Sequence, residues 1–164
     1  MPQAAFATSL GTCALAWGEH GLTRFHLPGE NLPALPDAES ASPPPSWIQD
    51  VISRVQRHLA GEMQDFSDLP YDFTPVPEFT RAVLRATLAV KAGHTATYGD
   101  LAAALGQPPA ASRAVGAALG ANPWPLLIPC HRVVAASGKM TGYSGPGGIA
   151  TKTRLLALEG AWLL

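Results

Sequence analysis

The chain has 164 residues, 47% of them hydrophobic and 14% charged, with a formal net charge of -1. That is enough apolar material for a buried core in one large or two small domains, and no uninterrupted apolar run reaches the roughly 18 residues of a membrane span. Two cysteines, Cys13 and Cys130, are too few for a disulfide framework, and MPQAAFATSLG lacks the layout of a secretory signal, so the expected setting is cytoplasmic, with no membrane partner.

Charge is unevenly spread. Three arginines face ten acids over residues 1–79, whereas eight lysines and arginines face only Asp100 and Glu159 over 80–164. The second half is suited to a polyanion, although two complementary halves docking on each other would give the same asymmetry.

From 4 to 27, the runs AFATS, TCALAW and LTRFHL around the turn GEHG predict a small antiparallel sheet. Six prolines between 27 and 46 exclude a helix interior or central strand and predict a loop. Ser46 is placed to N-cap a helix carrying Trp47, Ile48, Val51, Ile52, Val55 and Leu59 at helical spacing, closing near Gly61. A short strand at 71–73 is expected to rejoin the sheet. TPVPE then marks a boundary between an N-terminal domain, 1–75, and a C-terminal domain, 76–164. FTRAVLRATLAVKAG predicts a helix lining a core with Phe79, Val83, Leu84, Leu88 and Val90 and ending at Gly93.

Two short helices follow, Asp100 to Leu105 and about Ala111 to Leu119, joined by QPP. The pair suggests a helix-turn-helix, an arrangement that also occurs without any nucleic-acid role. In the second helix Ala111, Ser112, Ala114, Gly116, Ala117 and Ala118 are small, and Arg113 is the one long cation near its start. Tight packing would explain the small residues; free amides beside a lone arginine suit a phosphate or a base stack.

Free cysteines are usually small buried hydrophobes, and Cys13, in TCALAW, is read that way. Cys130 differs, because in LLIPCHRVVAASGKMTGYSG it follows Pro129 and precedes His131, Arg132 and the strand-forming Val133 and Val134. On a strand, neighbouring side chains point to opposite faces, so Cys130 and His131 would need a bend or a bridging water to communicate. A thiol with a pKa near about 8.5 is only a few per cent thiolate at neutral pH. A histidine held by a carboxylate can take its proton, and Glu159, in TKTRLLALEG, is the only acid after Asp100.

With IPCHRVV, SRAVGAALGANP upstream and GYSG downstream, the stretch 79–160 resembles the O6-alkylguanine-DNA alkyltransferases, also called methylated-DNA-protein-cysteine methyltransferases. The resemblance implies an α/β (α+β) fold, with a ribonuclease-H-like small sheet and helix first and a helical domain with a helix-turn-helix second. It implies direct-reversal DNA repair: irreversible, single-turnover transfer of an alkyl group from O6-alkylguanine in double-stranded DNA to Cys130, with O4-alkylthymine left open as a second substrate. The partner would be duplex DNA with alkylated bases, the protein a monomer, and no cofactor would be needed.

By position, His131 would act as base through a water and Glu159 would hold the His131 ring. Asn122 would brace the turn before Cys130. Arg113 would fill the gap left by a flipped nucleotide in the minor groove, with Ser112, Ala114 and Gly116 allowing close approach. Tyr98 would crowd the nucleotide's phosphate and relay a proton to the departing guanine. Tyr143, Ser144 and the Val133 backbone would contact the base.

Three features depart from the family pattern. GYSGPGGIATK carries two extra residues, Thr153 and Arg154 stand where many members have an acidic-aromatic pair, and a single N-terminal cysteine predicts no zinc site. His20, His26 and His58 are read as isolated surface histidines. Two further readings share the motif: an alkyltransferase-like protein that binds lesions without transfer, against which Cys130 itself argues, and a cysteine hydrolase.

Overall fold

The computed structural model describes residues 2–29, 43–137 and 148–161. The predicted sheet is present as β1 (Gln3–Thr8), β2 (Gly11–Gly18) and β3 (Gly21–His26), antiparallel in the order β1-β2-β3. Cys13, Leu15 and Trp17 of β2 and Leu22 and Phe25 of β3 are buried. A helix, α1 (Ser46–Leu59), packs against β1 and buries Ile48, Val51, Val55 and Leu59. Burial of each such side chain contributes roughly 2 kcal/mol. Gln56 Nε2 donates to the Ala7 carbonyl at 3.0 Å and fixes helix to strand.

Ser46 is the first helical residue rather than the cap; Pro45 precedes it and no side chain caps the helix. The C-terminus closes as expected at Gly61, whose φ is +103°. The Gly61 amide donates to the His58 carbonyl and the Glu62 amide to that of Arg57, the bonding pattern of a Schellman turn.

The strand expected at 71–73 is reduced to one bridge between Leu22 and Tyr71. The Leu22 amide donates to the Pro70 carbonyl at 2.7 Å and the Asp72 amide to the Leu22 carbonyl at 2.9 Å. Gly21 permits this approach: its φ is +121° and a Cβ there would lie 2.3 Å from the Pro70 oxygen. Gly21→Ala is expected to destabilise the protein by about 2 kcal/mol in chemical denaturation, and an unchanged midpoint would contradict this close approach.

The remaining elements are α2 (Glu78–Thr87), β4 (Ala96–Thr97), α3 (Tyr98–Ala104), α4 (Ser112–Gly120), β5 (Val133–Val134) and α5 (Gly148–Leu158). The helix predicted to reach Gly93 stops at Thr87, and Phe79 is exposed rather than in the core. The chain tightens there, with the Ala89 and Val90 amides donating to the Ala86 and Thr87 carbonyls three residues back, and past the helix end the Val90 carbonyl accepts from Arg132 Nη1 at 2.7 Å.

α3 opens with a capping box. Thr97 Oγ1 accepts from the Asp100 amide at 3.0 Å, and Asp100 Oδ2 accepts from the Thr97 amide at 2.9 Å. It closes at Gly106, a single 3-10 turn (Pro109–Ala111) follows, and α4 then packs on α3 and α2. Parallel pairing of β4 with β5, Ala96 opposite Val133 and Thr97 opposite Val134, sets the start of α3 beside the residues after Cys130.

One hydrophobic cluster runs through both halves of the chain. Trp124 is its hinge, with Nε1 donating to the Leu22 carbonyl at 3.1 Å and Tyr71 and Phe73 meeting its ring edge-on at 5.3 and 5.2 Å. The Phe25 amide also donates to the Pro123 carbonyl at 2.9 Å. The loop leading to Cys130 is therefore fastened to β3.

Candidate active site

Leu126, Leu127 and Ile128 are buried, and Leu126 takes a left-handed φ of +77°, rare for a branched side chain. Asn122 spans the bend: its Nδ2 donates to the Ile128 carbonyl at 2.9 Å, and its Oδ1 accepts from the Trp124 amide at 2.9 Å. The Ile128 carbonyl also accepts from the Cys130 amide at 2.8 Å, and Pro129 has no N–H to offer. No ladder can form here.

Cys130–Arg132 is accordingly a 3-10 turn, and only Val133 and Val134 are strand. This corrects the strand expectation for Cys130. Successive side chains of such a turn fan out by about a third of a revolution instead of alternating. His131 and Arg132 both go inward while Cys130 stays half-buried.

The inward pair converges on Glu159, at the end of α5. His131 Nε2 lies 2.9 Å from Glu159 Oε1; Arg132 Nε donates to the same oxygen at 2.9 Å and Arg132 Nη2 to Oε2 at 2.7 Å. A second imidazole completes the set: His58 Nε2, from α1, lies 2.8 Å from Oε2. The His58 and Glu159 side chains are both fully buried. His58 is thus no surface histidine; His26 is also largely buried, whereas His20 is exposed.

The sequence ties Glu159 to His131 alone and misses Arg132 and His58. One signal for His58 exists, its register on the buried stripe three residues after Val55.

Burial alone would raise the Glu159 carboxyl, but hydrogen bonds from Arg132, His131 and His58 outweigh it and hold the group well below the ordinary carboxylate range. With an ionised partner, the His131 proton belongs on Nε2. The other nitrogen, Nδ1, is buried with no hydrogen-bond partner among the described residues, so its lone pair is available to a proton. Burial lowers His131 despite the pull of Glu159.

Burial likewise raises the Cys130 thiol, only partly offset by the Asn122 amide, the Lys152 charge and nearby backbone amides. The resting pair is therefore thiol and imidazole, not the ionised sulfur that a Cys-His-acid triplet suggests. Cys13 is fully buried and pushed up to about 11 by burial, with a weak contact from Thr8.

Lys152 is buried, which lowers its ammonium. Its Nζ donates to the Val133 carbonyl at 2.7 Å and sits 6.0 Å from the centre of the Tyr98 ring. That carbonyl keeps a second lone pair for another donor. Tyr98 is the first residue of α3.

Arg113 and Ala114 are exposed on α4, and Ser112 Oγ donates to the Pro109 carbonyl at 2.8 Å. Gly116 faces Tyr98, and a Cβ there would make only ordinary contact at 3.8 Å. Tyr143, Ser144 and the extra residues after them lie outside the described residues. The described residues contain no cluster of three or more His, Cys, Asp or Glu able to hold a metal, and no helix long and apolar enough to cross a membrane.

Residues 78–161 match the family model described as the DNA-binding domain of 6-O-methylguanine DNA methyltransferase. The methylated-DNA-protein-cysteine methyltransferase of Methanothermobacter thermautotrophicus is 36% identical over 149 residues, covering 91% of this chain and 80% of that protein. A Thermus thermophilus protein named DNA base-flipping protein is 41% identical over 129 residues, 79% of this chain and 81% of its own. The crystal structure of Mycobacterium tuberculosis OGT in complex with DNA matches with a TM-score of 0.79 at 34% identity, covering 97% of this chain and 93% of the other. Its mixed fold of a small antiparallel sheet and helices is shared with such structures. On a family model spanning half the chain and a relative this similar across four-fifths of its length, the chain belongs to the methylated-DNA-protein-cysteine methyltransferase family.

Proposed function

We propose that Cys130 accepts an alkyl group from O6-alkylguanine in duplex DNA, once per molecule, which makes the chain a direct-reversal repair protein and a cysteine S-methyltransferase. The observation that carries this reading is the bare, buried Nδ1 of His131, oriented by Glu159 and adjacent in the chain to the half-buried thiol. A protein that only binds lesions has no use for a thiol next in sequence to such a proton acceptor.

In the reaction, Cys130 Sγ forms a bond to the alkyl carbon as the carbon–O6 bond breaks and its electron pair goes to guanine. The thiol proton passes through one water to His131 Nδ1, and Tyr98 relays a proton to the departing base. Since the resting thiol is raised and the imidazole lowered, transfer of the proton accompanies substrate engagement rather than preceding it. The product thioether resists hydrolysis, so repaired lesions should never outnumber protein molecules. Turnover beyond one equivalent would sink the reading.

The α3–α4 pair serves as the helix-turn-helix of a C-terminal domain beginning near residue 76. Arg113 enters the space of the flipped nucleotide, and Ser112, Ala114 and Gly116 allow the slim helix to approach the minor groove. The excess of lysine and arginine after residue 79 supports this surface. The Val133 carbonyl, Tyr143 and Ser144 contact the base, and O4-alkylthymine is the natural second substrate to try.

Arg113→Ala is expected to slow repair of duplex DNA by roughly 10²-fold or more while leaving reaction with free O6-benzylguanine within a few-fold, because only the duplex needs a base extruded. Single-turnover rates on the two substrates check this, and equal losses on both would remove Arg113 from that role.

A further inference from the structure

His58 is a buried imidazole that the transfer chemistry above leaves unused. It comes from the half of the chain that carries the sheet, 101 residues away from the carboxylate it touches. Its hydrogen bonds define its tautomer. The Gln64 backbone amide donates to His58 Nδ1 at 3.0 Å, so Nδ1 is the acceptor, the ring proton is on Nε2, and Nε2 donates to Glu159 Oε2 at 2.8 Å.

The ring is also packed against Phe66, centroids 5.3 Å apart, and the Arg54 guanidinium covers the other partner at 5.6 Å from the Phe66 centre. This is a fixed donor, pinned at both nitrogens. Among the described residues, the charged and titratable groups around Glu159 are then His58 from α1 and His131 and Arg132 from the reactive turn.

Arg132 and His58 together fill Oε2, while Arg132 Nε and His131 share Oε1. A carboxylate gripped on one oxygen from α1 cannot turn or draw away without breaking a buried, charge-assisted bond. Its other oxygen is thereby held on His131 Nε2, the contact that keeps the reactive lone pair on Nδ1.

We infer that His58 is a positioning residue of the alkyl-transfer site: the sheet-bearing half of the protein supplies, through the Nε2–H of His58, the donor that locks Glu159 onto His131. The inference rests on the assignment of Cys130, His131 and Glu159 to alkyl transfer. It gives the first half of the chain a part in orienting the reacting groups, beyond support of the fold.

Two variants of the full-length protein separate positioning from packing. His58→Phe keeps the ring and its contact with Phe66 but has no donor, and His58→Gln can bring an amide N–H near the position of Nε2. At saturating O6-methylguanine duplex, His58→Phe is expected to transfer roughly tenfold more slowly than wild type, with His58→Gln within about threefold. The acidic limb of the pH–rate profile should move up in His58→Phe, by roughly half a unit, and return in His58→Gln. One donor fewer on Oε2 makes both Glu159 and the His131 it supports easier to protonate.

Loss of packing alone would slow both variants in step with their thermal midpoints and leave the limb in place, and that result overturns the inference. Imidazole nitrogen NMR of the wild-type protein tests it independently of transfer. The Nε2–H tautomer at both His58 and His131, with the His131 signals shifted in His58→Phe, supports it. A proton on His58 Nδ1, or unshifted His131 signals, refutes it. If wild-type protein shows the tautomers and transfers nothing, the transfer assignment falls and the His58–Glu159 lock stands.

Discussion

Cys130→Ser is expected to bring alkyl transfer below detection while leaving the fold and the binding of lesion-containing DNA intact. The serine oxygen fits the same turn, since the backbone is held there by the hydrogen bond from the residue-130 amide to the Ile128 carbonyl and by Asn122 Nδ2 on that carbonyl, and a hydroxyl can take the Asn122 contact that the sulfur makes. Stability should change by about 1 kcal/mol or less. What is lost is chemical: a hydroxyl gives up its proton far less readily than a thiol, and an imidazole already lowered by burial cannot take it. Cys13 cannot substitute, being fully buried and raised to about 11. Thermal melting, duplex binding and transfer measured on one preparation check all three parts. Residual transfer in the serine variant, or a methyl group on Cys13, would contradict the assignment.

Glu159→Gln is expected to damage stability and rate together. Among the described residues Glu159 is the one anion on the Arg132 guanidinium and the two imidazoles, and the side chains of His58, His131 and Glu159 are fully buried. A glutamine keeps one acceptor oxygen and turns an N–H face toward donors. The unpaired buried guanidinium costs about 3–5 kcal/mol, read from denaturant unfolding. Transfer should slow by roughly 10²- to 10⁴-fold as the His131 tautomer is no longer enforced. A variant as stable and as fast as wild type would remove Glu159 from both roles.

The pH dependence of wild-type stability follows from the same cluster. Glu159 is depressed in the folded protein, so its contribution is complete above the ordinary carboxylate value of 4.5 and is lost progressively as pH falls from there to its much lower folded value. His131 is also depressed, from an ordinary 6.5. The unfolded chain binds that proton first, so the thermal midpoint should begin to fall as pH drops below about 6.5, well before Glu159 titrates.

Much of this was legible in the chain because it is local. The three strands, α1 with its Gly61 closure, and the turn at Gly106 announce themselves within a few residues. Cys130, His131 and Glu159 follow from what a thiol needs in order to react, and Asn122 follows from the family pattern. The misses are tertiary. His58 looks like any polar residue on a helix until its partner, far along the sequence, is brought to it. The turn at Cys130 depends on an Asn122 side chain claiming the Ile128 carbonyl, and the segment after α2 carries the Val90 carbonyl to Arg132, 42 residues on. Arg132 reads from sequence as one more basic residue; in the fold it is the counter-charge that makes a buried glutamate tolerable.

As a one-use alkyl acceptor, Cys130 should carry away the group it removes. Incubation of the protein with duplex DNA carrying O6-methylguanine, followed by mass mapping of its peptides, tests it directly. One methyl group per protein is expected, on the peptide containing Cys130, with unmodified guanine restored in the DNA. Lesion DNA bound or altered while Cys130 stays unmodified would contradict it.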